Sequence, residues 1–389
     1  MASHAELWSR LRAALTEELP AAVALRHLLH AHPDLSGREE PTAARVAAAL
    51  GAPQAPPVAG TGRLIRIGPP AGPAVAVRAE LDALPIPERT DAPFAARTGA
   101  MHACGHDVHL AALVALGRAA RRVPLPAAVL AVLQPREETN PSGARDLVDS
   151  GAFAPHHVIS FVAAHVQPVV PAGAVTTGAG AVNAANDEFE IVVTGRGGHG
   201  AYPHLTDDPV PALAEIVTAL QHLVSRRVDP LHAAVLTVGV LSAGQAFNIV
   251  PDTARAVGML RSMSEADRES LRDGVRLVAE RVAAAHGCTA QVTITPGEPV
   301  LVNDGRLAAA TEAWLTRAGV PVAEPPRSCG SDDFSFFRQV APTLMMFVGP
   351  AGDRSAGLHS ARFLPPDGAV GAVAGAMLAG YLGGLDTAG

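Results

Sequence analysis

Short apolar runs alternate with stretches of helical periodicity along most of this chain, and few folds tolerate that order. Residues 74–77, 127–133, 158–164 and 342–348 are runs dominated by apolar side chains, the pattern of buried strands. Residues 109–122 place Ala and Leu at helical spacing, residues 305–318 also read as a helix, and an Ala-rich helix is expected from about residue 367. Upstream, residues 5–50 read as two helices joined around His32-Pro33-Asp34-Leu35-Ser36-Gly37, where proline and glycine punctuate the chain. Strands separated by helices make βαβ units. The expected class is α/β: a mixed, largely parallel sheet flanked by helices.

The pattern changes near Asn183. Residues 187–194 alternate as a half-buried strand does. Asp208-Pro209 supplies an N-cap followed by a first-turn proline, and opens a helix to about residue 226. Strands are expected at residues 233–240, 253–260 and 289–295, with a helix from the capping-box-like Ser264-Glu265-Ala266-Asp267 to about residue 285. The order β-α-β-β-α-β is the ferredoxin-like split unit. We therefore expect an inserted α+β domain at residues 183–295, within a first domain built from residues 1–182 and 296–389.

Composition narrows the function. A formal net charge of −7 gives no basic footprint for nucleic acid. No apolar run is read as long enough to cross a bilayer, and the N-terminal residues lack the pattern of a signal peptide. Cys104, Cys288 and Cys329 are too few and too scattered for a disulfide framework, so the expected compartment is the cytoplasm.

Potential metal ligands follow the apolar strands: Glu80 and Asp82, Glu137 and Glu138, His165, and His359. Ligands in open α/β sheets bind beyond the carboxyl ends of the strands, so these distant segments can share one crevice. His102, Cys104, His106 and His109 crowd into eight residues around Gly105, which packing alone does not explain. Thiolate, imidazole and carboxylate together suit zinc, manganese or cobalt. Glu137-Glu138 ends a buried run after Gln134-Pro135 and is read as functional rather than as solvated surface. His27, His156, His157, His222 and Cys288 are read as structural.

Several segments resemble the M20 family of metallopeptidases and amidohydrolases, in the branch of hippurate hydrolase, auxin-conjugate hydrolases and N-acetyl-diaminopimelate deacetylase. They include His30-Ala31-His32-Pro33, Arg78-Ala79-Glu80-Leu81-Asp82, Met101-His102-Ala103-Cys104-Gly105-His106-Asp107 and Gln134-Pro135-Arg136-Glu137-Glu138. Gly198-His199-Gly200, Phe247-Asn248-Ile249-Val250-Pro251, Ser331-Asp332-Asp333-Phe334-Ser335 and Leu358-His359-Ser360 follow in the same order. The resemblance covers nearly the whole chain.

It implies a Zn-peptidase-like catalytic domain and an inserted domain that acts as lid and dimerisation surface. Cys104, His106, Glu138, His165 and His359 match the positions that hold two divalent metals. Glu137 matches the general base. Asp82 and Asp107 are implied to orient ligand imidazoles from behind. His199 and Asn248 match residues that polarise the scissile carbonyl and hold the oxyanion, and Arg261 is implied to meet a substrate carboxylate. The implied chemistry is attack by an activated water on an N-acyl amino acid or peptide-like amide, with Glu137 moving the proton to the leaving amine. A homodimer is implied as well. Four segments depart from the family: Glu80 where Asp is usual, Arg136 where a small residue is usual, Thr139-Asn140-Pro141 where glycines are common, and Asp332 where Glu is common. Arg136, beside the base, is expected to touch substrate. Rival readings are a dipeptidase or carboxypeptidase on the same site, a metal-free hydrolase with Cys104 as nucleophile, and a binding relative without catalysis.

Overall fold

The computed structural model describes residues 3–351 and 356–388. The chain divides into two compact units, one of Met1–Gly180, Val302–Pro326 and Asp333–Gly389, the other of Ala181–Leu301 and Arg327–Asp332.

The first unit is built on a seven-stranded sheet. Its order is Arg63–Ile67, Ala128–Gln134, Ala74–Glu80, Val158–Val166, Thr343–Val348, Val175–Thr176 and Val322–Ala323. The four middle neighbours from Ala128–Gln134 to Thr343–Val348 run parallel, as βαβ connections require, while Arg63–Ile67 joins the edge antiparallel. Every residue of Ala74–Glu80, Ala128–Gln134 and Thr343–Val348 is buried, which is why these strands read as continuous apolar runs. Helices His106–Arg121 and Gly368–Thr387 pack on these strands and on each other, and His4–Ala31 lies against both helices. Their contact residues are mostly Ala, Gly and Leu, so the backbones approach closely.

Gly368–Thr387 corrects one expectation from the sequence. It is the one helix among the described residues that is long and apolar enough, by length and composition, to cross a membrane. Within this molecule 72% of its apolar window is buried. Its many small side chains let it insert between the sheet and helices His4–Ala31, His106–Arg121 and Gly305–Arg317, and a helix apolar all round is what such a position selects.

The second unit holds a four-stranded antiparallel sheet in the order Thr289–Pro296, Ala185–Thr194, Thr253–Ser262, Ala234–Ala243. Inward residues Phe189, Ile191, Ala256 and Leu260 pack with Leu213 and Ile216 of helix Pro209–Arg227 and Leu271 and Val275 of helix Glu265–Ala285. Both helix starts are capped as their sequences suggest: Val210 N–H donates to the Asp208 carboxylate, and Asp267 N–H to Ser264 Oγ.

Candidate metal centre

The turn Ala103-Cys104-Gly105-His106 connects a loop to helix His106–Arg121, and its shape depends on Gly105. That residue has φ of 87°, and a Cβ there would lie 2.4 Å from Val166 Cγ2. A glycine therefore lets the turn close onto the strand that carries His165. His165 is not beyond that strand, as its sequence position suggested, but inside it, paired with Phe347 of Thr343–Val348.

The five ligand candidates converge at the carboxyl ends of the central strands. Cys104 Sγ lies 3.4 Å from His165 Nε2. His359 Nε2 lies 3.3 Å from Glu138 Oε1, and His106 Nε2 lies 4.0 Å from the same oxygen. Ligand atoms of Cys104, Glu138 and His359 fall within 4.8 Å of one another, and so do those of His106, Glu137 and Glu138. His359 takes φ of 62° and donates its backbone N–H to Ala103 O at 2.9 Å. That left-handed conformation costs a non-glycine residue energy and is held here by the contact with the Cys104 turn.

The imidazoles are presented in the way a metal needs. His106 Nδ1 lies 2.8 Å from the Asp82 carbonyl oxygen and His165 Nδ1 2.7 Å from that of Val166. A carbonyl only accepts, so each ring carries its proton on Nδ1 and leaves the Nε2 lone pair open. His106 Nε2 and Glu138 Oε1 are buried; the first has no hydrogen bond among the described residues, and the second faces His359 Nε2 at 3.3 Å. Buried polar atoms are rarely left unpartnered, and here the two face a common point. The donor set of thiol, imidazole and carboxylate fits a pair of borderline divalent metals.

The electrostatics agree. Burial raises the Cys104 thiol well above its ordinary value, with Glu138 and Glu137 adding to it. Burial alone would raise Glu138, but His359 and His106 beside it hold its carboxyl below the usual range. His359 is raised by Glu138 in turn. Burial lowers His165 well below the ordinary imidazole value. Burial would also lower His106, yet Glu80, Asp82 and Glu138 raise it.

The remaining candidates are placed as follows. Glu137 is largely buried, with Oε2 3.9 Å from His106 Nε2. Asp82 braces two ligand segments at once: its carbonyl receives His106, and its Oδ2 accepts from Glu138 N–H at 3.0 Å and Ser36 Oγ at 2.7 Å. Asp107 holds none of the five; it accepts from Arg26 Nε and His30 Nδ1, both at 3.0 Å, and so ties the first helix to the ligand turn. Arg136 has φ of 49°, and its guanidinium pairs with Asp146. In the second unit His199 pairs with Ile249 across the two-residue strands Gly198–His199 and Ile249–Val250, and Gly200 N–H donates to the Asn248 carbonyl at 2.8 Å. Ala201 N–H donates to His199 Nδ1 at 3.0 Å, which leaves the proton on Nε2, exposed and able to donate. Arg261 stands on strand Thr253–Ser262 opposite Asn186, with Nη1 buried and without a hydrogen bond among the described residues.

Sequence reasoning gave no role to Arg26, His30 and Ser36, treated His109 only as a neighbour, and read Glu80 as a potential metal ligand where the family usually has Asp. His109 Nδ1 lies 2.9 Å from Glu80 Oε2, and His109 is three residues after His106 on one helix. That i, i+3 spacing places both on one helix face and was the available signal.

The profile of peptidase family M20/M25/M40 matches residues 76–379. N-acetylcysteine deacetylase of Bacillus subtilis is 34% identical over 336 residues, covering 84% of this chain and 88% of the relative. N-acetyldiaminopimelate deacetylase of Halalkalibacterium halodurans is 36% identical over 308 residues, covering 78% and 82%. Among solved structures, the YXEP protein of Bacillus subtilis, described as a dinuclear metal binding peptidase from the M20 family, superposes with a TM-score of 0.81 at 29% identity. It covers 95% of this chain and 99% of that one.

Proposed function

The chain belongs to peptidase family M20/M25/M40, and from that premise we propose a two-metal amidohydrolase that removes the acyl group from N-acyl amino acids. The relatives named above are deacetylases of N-acetylated amino acids, which supports hydrolysis of a linear amide bond here. The observation that carries the metal part is His106: a ring with Nδ1 committed to a backbone carbonyl and a buried Nε2 lone pair without a partner, beside Glu138.

Cys104, His106, Glu138, His165 and His359 would hold the two metals, zinc, manganese or cobalt. Bound there, divalent metals supply Lewis acidity that makes water nucleophilic near neutral pH and polarises the scissile carbonyl. Glu137 takes the proton of the attacking water and passes it to the leaving amine. Its position beside His106 and its low exposure suit that task. His199 Nε2–H and the Asn248 amide are the proposed donors to the developing oxyanion. Arg261 is the proposed partner of the substrate carboxylate, supported by its unpartnered Nη1. Asp82 positions His106 and Glu138. Arg136 is spent on Asp146 and is left out of the substrate site.

A homodimer through the second unit is part of the proposal. Its edge strand Ala234–Ala243 exposes Val240 and Leu241, and Phe247 and Ile249 stand exposed beyond it. Long apolar edges are ordinarily covered. The cytoplasm is the proposed compartment, because a thiol ligand at Cys104 needs reducing conditions to persist.

A cysteine-nucleophile hydrolase needs a thiolate, and burial among carboxylates opposes one at Cys104. The deciding experiment is hydrolysis of N-acyl amino acids and dipeptides with Mn, Zn or Co added separately. Acyl release that is lost with EDTA and restored by metal is expected. Turnover that survives EDTA but stops with iodoacetamide sinks the metal reading; cleavage of dipeptides alone sinks the acyl preference.

A further inference from the structure

We propose that His109 and Glu80 are positioning residues that set the His165 imidazole toward its metal, acting through Val166. The inference rests on the two-metal reading above and adds a function for two buried groups which that reading leaves idle.

Both nitrogens of His109 are committed. Val166 N–H donates to His109 Nε2 at 3.0 Å, so the lone pair is on Nε2 and the proton on Nδ1. That proton is donated to Glu80 Oε2 at 2.9 Å. His109 therefore has no lone pair left for a metal, although its ring centroid is only 4.5 Å from that of His165. Glu80 is held in turn. Its other oxygen pairs with the buried Arg78, which reaches Gln134 Oε1 at 2.7 Å and Asp333 Oδ1 at 2.9 Å.

The chain of contacts ends on the ligand. The Val166 carbonyl accepts from His165 Nδ1 at 2.7 Å, the bond that aims His165 Nε2 at the site. Both polar backbone groups of Val166 are thus claimed, one by His109 and one by His165. Val166 also abuts Gly105, where a Cβ would strike its Cγ2, so a shift of Val166 disturbs the Cys104 turn as well. Buried groups behind a ligand that fix its orientation commonly change metal affinity by about 10–100-fold when removed.

Reach is the variable. Glu80 is the last residue of strand Ala74–Glu80, and His109 stands one turn into its helix. A glutamate spans that gap, and an aspartate is one methylene short. A glutamine keeps the length and offers an oxygen to His109 Nδ1.

The test is metal titration of the full chain by calorimetry, with Co or Zn alone as probe, beside thermal unfolding of the metal-free protein. Wild type is expected to take up about two equivalents. His109→Gln and Glu80→Asp should bind one equivalent tightly and the second about 10–100-fold more weakly. Their metal-free melting temperatures should stay near that of wild type. Glu80→Gln should keep second-site affinity within about threefold of wild type, a rescue that a purely structural role does not produce. Wild-type affinity for both equivalents in His109→Gln overturns the proposal. So does loss of both equivalents together with a lowered metal-free melting temperature in all three variants. A wild-type chain that takes up no metal overturns the two-metal reading itself, and this inference with it.

Discussion

Two buried clusters, one in each unit, treat their polar groups in opposite ways. In the second unit, Asp187 on strand Ala185–Thr194 is buried and accepts four N–H bonds, from Arg268 Nε and Nη2 and from Arg272 Nε and Nη2, at 2.7–2.9 Å. Both carboxylate oxygens are saturated, and each guanidinium engages as a fork. In the first unit, Asp82 Oδ1 and His106 Nε2 are equally enclosed but lack hydrogen bonds among the described residues, and Glu138 Oε1 beside them faces His359 Nε2 at 3.3 Å. A saturated cluster has spent its interactions on the fold. An open one is strained in isolation and is completed by something else. Burial and charge therefore do not mark a functional site; unused lone pairs that converge do.

Four measurements can break or sharpen that contrast. The largest effect belongs to the open cluster. Glu137→Gln should lower kcat by about 10²–10⁴-fold while metal content, measured by atomic emission, stays at the wild-type level. Near-normal turnover would show that the unpartnered atoms serve something other than this chemistry. The next concerns the saturated cluster: Asp187→Ala removes the buried acceptor that two arginines share and should destabilise the protein by about 3 kcal/mol in urea unfolding, with metal uptake intact. Metal loss in that variant would mean that the two clusters are not separable. Third, removing metal with a chelator should lower the stability of the wild type by about 2.7 kcal/mol for each metal lost, relative to protein held at a hundredfold excess over Kd. An unchanged melting curve would mean that the open cluster is stable as it stands.

The smallest effect is in pH. Burial opposes the Asp187 charge, but Arg268 and Arg272 outweigh it and depress the carboxyl below its ordinary value. A group depressed in the folded state contributes stability that is fully present above the unfolded pKa, about 3.9, and lost as pH falls through the folded value. The stability difference between wild type and Asp187→Asn should therefore be constant near neutral pH and shrink only below about pH 4. A difference that shrinks between pH 7 and 5 would assign the effect to another group.

Much of this was legible in the chain. The continuous apolar runs marked the buried parallel strands, and Asp208 and Ser264 marked helix starts that the structure caps as written. The crowding of Cys104, His106, Glu137 and Glu138 near strand ends marked a metal centre. Other details were not legible. Arg136 borders Glu137 in sequence, yet a positive φ turns it onto Asp146. Asp107 borders His106, yet successive residues on a helix point about 100° apart, and its carboxylate faces Arg26 and His30. Sequence neighbours are poor guides where the backbone turns between them.

The sequence by itself determined the element order, the two kinds of sheet, the kinds of donor atom available and the family. Those depend on periodicity, caps and residue type, which act over a turn or two of chain. Only the tertiary structure decided which nitrogen of each imidazole stays open, that Asp82 braces both His106 and Glu138, and that His109 is spent on Glu80 and Val166. A lone pair is free or used according to what lies within about 3 Å of it. At this centre those partners come from strands that meet only when the sheet is assembled.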